Sequence, residues 1–70
     1  MNKEGLMEAI KNSGLKMEFV AKKGGMSRTA FWRKMNGVSE FTLGEIQTLA
    51  RLLDLTPEQI QDIFFCQNVS

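Results

Sequence analysis

MEFVAKKGGMSRTAFWRKMN, residues Met17 to Asn36, carries the topology of this chain. It holds two short helical patterns joined by a glycine turn. Ala21 lies four residues before Gly25, and Gly25 lies six before Phe31. Two helices that cross steeply through so short a turn need a small side chain where they touch, and Ala21 supplies it. The turn needs a residue at positive φ, which Gly25 adopts without a Cβ clash. The Ser27 hydroxyl is placed to cap the second helix. That helix then carries Arg28, Thr29, Trp32, Arg33 and Asn36 at helical steps on one face. The arrangement is that of a helix-turn-helix.

Outward from this stretch the pattern stays helical, and no alternating strand pattern competes. Leu6, Ala9 and Ile10 recur at helical spacing, and Ser13-Gly14 closes that helix. Asn36-Gly37 is a hairpin signal elsewhere. Here its flanks are helical, so it reads as a helix C-cap. Thr42-Leu43-Gly44-Glu45 has the form of a capping box, followed by the apolar stripe Ile46, Leu49, Ala50 and Leu53. Thr56-Pro57-Glu58-Gln59 is a second box with proline at the first helical position, and Ile60, Ile63 and Phe64 form its stripe. The expected fold is all-α, with five helices in a single domain over residues 1–70, and Cys66 to Ser70 as a frayed tail.

Composition narrows the functional classes. A chain of 70 residues buries only about 60% of its unfolded surface, so modest stability and a benefit from dimerisation are expected. The single Cys66 cannot form an intramolecular disulfide, which fits a reducing cytoplasm. No apolar run approaches the roughly 20 residues of a membrane helix, and no secretory signal follows Met1. There is no His and no Tyr, and Cys and His do not cluster with metal-ligand spacing. Neither an enzyme nor a metal site is therefore expected, and no cofactor or small-molecule ligand is implied.

Net charge is only +1, but its distribution is uneven. Lys11, Lys16, Lys22, Lys23, Arg28, Arg33 and Lys34 face the single Glu18 between residues 11 and 37. From Val38 onward Arg51 stands alone against Glu40, Glu45, Asp54, Glu58 and Asp62. A basic patch on an otherwise acidic chain orients it towards phosphates.

Ala21, Gly25, Ser27 and Phe31, with Asn36-Gly37 and the further helix from Thr42, resemble the Cro and phage-repressor (Xre-like) family. The resemblance covers nearly the whole chain. It implies a five-helix bundle of the lambda-repressor-like DNA-binding type, with its motif at residues 17–36. Three positions depart from the family pattern: Lys16 stands where Ser or Thr usually caps the first motif helix, Lys34 stands where an apolar residue is common, and Glu40 stands in the Val38–Phe41 loop, which often carries basic residues.

The resemblance implies that residues 28–36 enter the major groove of double-stranded DNA, with Arg28, Thr29 and Arg33 facing the bases. Arginine can donate two parallel hydrogen bonds to guanine O6 and N7, and threonine offers a hydroxyl or a methyl. Phe31 and Trp32 are adjacent and cannot share a narrow buried stripe. Phe31 matches the core position, so Trp32 joins the base-facing set at its edge, packing on sugar or a thymine methyl, or else lies against the Val38–Phe41 loop. Lys16, Lys22, Ser27, Lys34, Asn36 and Ser39 are the expected phosphate contacts, and Phe41 is expected to plug the core. Ile63, Phe64 and Phe65 are the expected homodimer interface. The function implied is sequence-specific transcriptional regulation by a small repressor-like protein. The alternative is a protein-interaction module, or an antitoxin-like protein of the same fold, with little or no DNA binding.

Overall fold

The computed structural model describes residues 1–65. Five helices follow in order: α1 Lys3–Ser13, α2 Met17–Lys23, α3 Arg28–Met35, α4 Leu43–Leu52 and α5 Pro57–Phe64. Among the described residues there is no strand. Cys66 and the tail expected after it lie outside the described residues.

Local chemistry accounts for most helix starts. The Thr42 and Thr56 hydroxyls accept from the N–H groups of Glu45 and Gln59, whose side chains accept in return from the cap N–H groups. Both expected capping boxes are therefore formed. Ser27 accepts from the Ala30 N–H at 3.1 Å and opens α3. Asn2 caps α1 in the same way through the Gly5 N–H, a start that the apolar spacing alone does not reveal. Only α2 begins without a side-chain cap, at Lys16.

Three of the helix ends share one device. At the end of α2, Met26 N–H donates to Ala21 C=O and Gly25 N–H to Lys22 C=O, with Gly25 at φ 76°. This pair of bonds is a Schellman motif, and the turn between α2 and α3 consists of it. An added Cβ at Gly25 meets nothing within 4 Å, so glycine is needed there for its backbone angle and not for space. Gly37 closes α3 identically, through Val38 N–H to Arg33 C=O and Gly37 N–H to Lys34 C=O. At the end of α4 the left-handed position falls to Asp54, at φ 52°. Asp tolerates that region better than most side chains.

The core is apolar, and Phe31, Leu6, Leu49 and Val20 are its largest fully buried members. Burying a side chain of this size contributes about 1.5–3 kcal/mol. Ala21 is buried where α2 meets its neighbours. Phe41 stacks edge-on against Phe31 at 5.8 Å and against Phe64 at 5.5 Å, tying the end of α5 to the underside of α3. Ile63 is also core, because α1 covers it. The Asn2 N–H donates to Ile63 C=O at 2.7 Å, and an added Cβ on Gly5 falls 3.3 Å from Ile63 Cγ1. Ile63 thus packs within its own protomer, which corrects its assignment to a dimer surface.

Candidate nucleic-acid interface

The outer face of α3 is built by what its inner face buries. Phe31 and Met35 point into the core, and Ala30 is half-buried. Helical spacing then turns Arg28, Thr29, Trp32 and Arg33 outward, and all four are exposed. Trp32 retains 55% of its accessible surface while adjacent Phe31 retains none. Trp32 lines an open notch with Met17, Arg28 and Thr29 and not with the loop after α3. Among the described residues neither Arg28 nor Arg33 has an acidic partner.

The six residues expected at phosphates divide into two groups. Lys16, Lys22, Ser27 and Ser39 are exposed. The Ser27 oxygen accepts the capping bond, which leaves its own O–H free to donate outward. Lys34 and Asn36 are engaged inside the protomer. The Lys34 ammonium lies 2.6 Å from both Glu45 carboxylate oxygens and is half-buried. It bridges α3 to the start of α4, which corrects its assignment as a phosphate contact. Asn36 donates from its amide to Trp32 C=O at 2.8 Å and accepts from the Lys3 ammonium at 2.7 Å. Its side chain fastens the C-terminal end of α3.

Glu45 is the residue whose role the sequence does not disclose. One carboxylate oxygen accepts from Thr42 N–H at 2.8 Å, closing the capping box, while both receive Lys34. Burial pushes its pKa up, but the Lys34 ammonium and the Thr42 N–H outweigh that and hold it below its ordinary value. A lowered pKa stabilises the fold above the ordinary glutamate range near pH 4, and this contribution disappears as pH falls through the folded value. Glu45→Gln should retain the box, lose the ion pair, and cost about 1 kcal/mol at neutral pH. Chemical denaturation at pH 7 and pH 3 checks this: the gap between wild type and variant should close in acid. An equal gap at both pH values would show that the charge contributes nothing.

Two further features complete the surface. The Lys23 ammonium lies 5.5 Å from the centroid of the exposed Phe19 ring on α2. On α4 and α5, Leu43 and Phe65 are 65% and 46% exposed and line one groove with Ile46 and Ile60. Phe64 is half-buried against Phe41, so Phe65 alone of the expected apolar trio faces outward to a substantial degree. Leu43 escapes notice in the sequence because it is the first residue of α4, inside the capping box, where no stripe has begun.

Among the described residues no three His, Cys, Asp or Glu side chains gather as a metal site, and no helix is long and apolar enough to cross a membrane. No family model, no curated protein and no solved structure matches this chain.

Proposed function

We propose that this chain is a sequence-specific DNA-binding transcriptional regulator of the repressor-like type, acting in the cytoplasm, which lays α3 in the major groove of duplex DNA. The observation that carries this reading is the outer face of α3. It is a capped, buttressed helix that presents two arginines, without acidic partners among the described residues, beside Thr29 and Trp32. A helix fixed in this way loses little conformational freedom on docking, and its arginines have the geometry to read guanine. Lys16, Lys22, Ser27 and Ser39 flank it as phosphate donors that set register without reading sequence. Two copies, paired through the apolar groove of α4 and α5, would read half-sites about 34–36 Å apart.

Selection from a random duplex pool tests the reading, followed by two variants. A defined consensus should emerge. Arg33→Ala should lower affinity for it by about 1–3 kcal/mol and relax preference at one base pair. Lys22→Ala should weaken all duplexes alike. A pool that never enriches, with protein shown to be folded, favours the protein-interaction alternative. An unchanged consensus for Arg33→Ala removes that residue from base readout.

A further inference from the structure

The notch beside α3 has an unusual makeup for a surface meant to meet an anion. Met17, the first residue of α2, packs partly against the core and forms one wall. Trp32, Thr29 and Arg28 of α3 line the rest. A tryptophan ring left 55% exposed in the basic segment forfeits apolar burial, and its single Nε1–H is all that it offers a phosphate. A duplex offers a match for such a recess at one kind of place. The major-groove edge is polar except for the C5-methyl group of thymine, and 5-methylcytosine carries the same methyl. Arg28 lines the same notch, and its guanidinium can donate two hydrogen bonds to a guanine in the neighbouring base pair.

Resting on the DNA-binding reading above, we infer that the Met17–Thr29–Trp32 notch reads a pyrimidine 5-methyl group next to a guanine held by Arg28. The protein then distinguishes thymine or 5-methylcytosine from uracil or unmodified cytosine at that base pair. Thr29 contributes its methyl group here, and Met17 becomes a specificity residue although it belongs to α2. Sequence reading assigns Met17 no such role, because an apolar residue opening a helix looks like ordinary core.

The test starts from the selected duplex. Each thymine is replaced in turn by deoxyuridine, and each cytosine by 5-methyldeoxycytidine. Removing the methyl at the notch should weaken binding roughly fourfold, the worth of one buried methyl group, and adding it to a cytosine there should strengthen binding by a similar factor. The two arms separate thymine from methylated cytosine as the natural ligand. Trp32→Ala and Met17→Gln should bring the ratio of affinities for the two forms to about one. Trp32 is largely exposed, so its loss leaves the core intact if Met17→Gln misfolds. Trp32 is also the single tryptophan, so its emission should shift to the blue when the methylated duplex binds. Duplex binding that is indifferent to every methyl overturns this inference while leaving the DNA reading standing. No duplex binding at low salt overturns both.

Discussion

Raising salt from about 50 to 200 mM should weaken duplex binding by about 10⁴-fold if two subunits bind together. The estimate follows from the charge layout and not from the net charge, which is only +1. Lys11, Lys16, Lys22 and Lys23 are exposed cations of the basic segment, so roughly four phosphates per subunit can be neutralised there. Each neutralised phosphate contributes about 0.9 to the slope of log affinity against log salt. Eight of them give a slope of about −7, and a fourfold rise in salt then costs about 10⁴. A single subunit would give a slope near −3.6 and a loss of about 150-fold by the same arithmetic. The slope therefore counts subunits as well as contacts. Lys22→Ala should reduce it by about 0.9 per subunit, whereas Lys34→Ala should not, because the Lys34 ammonium is already held by Glu45. Titration of fluorescent duplexes at four salt concentrations measures this. A flat profile would mean that the basic segment does not meet phosphate, and the interaction-module alternative would then stand.

What the sequence discloses here is governed by range. Thr42, Thr56, Ser27 and Gly25 act on their own helix ends, through partners no more than a few residues away. Their type and spacing therefore reveal what they do. The same holds for the five helices. Partnerships across elements leave no such trace. Nothing near Lys34 announces Glu45, eleven residues on, and a lysine in the basic stretch invites assignment to phosphate. Ile63 looks like surplus apolar surface until α1 folds across it through Asn2 and Gly5. Trp32 could follow either of two packings, and the choice was made by Phe31, which fills the core position completely. Asp54 in the left-handed region is equally unannounced, because glycine is the usual signal for such a turn. The outward face of α3 was legible because it depends on helical spacing alone. The notch was not, because one of its walls belongs to another helix.

Phe65→Glu should convert a dimer into a folded monomer and lower operator affinity by at least 100-fold. Phe65 is 46% exposed and Leu43 65% exposed, and both border the groove that Ile46 and Ile60 floor. Contiguous exposed apolar groups of this kind mark association surfaces. In a two-fold dimer the same patch meets itself, so one substitution places two carboxylates in the interface. Each would be desolvated on association in a groove where Arg51 is offset by Asp54, which costs more than the lost ring contact. The protomer itself should tolerate the change, since Phe65 lies beyond the last turn of α5 and Phe64, not Phe65, stacks on Phe41. Leu43→Glu is the second probe, and it tests the same surface from α4. Loss of dimerisation removes one recognition helix from the complex. The remaining subunit reads only one half-site, and the salt slope should fall to about half. Sedimentation at tens of micromolar, free and on DNA, measures the association directly. A wild-type protein that stays monomeric under both conditions rules the dimer out. A wild-type dimer that Phe65→Glu and Leu43→Glu both leave intact would place the interface on another face.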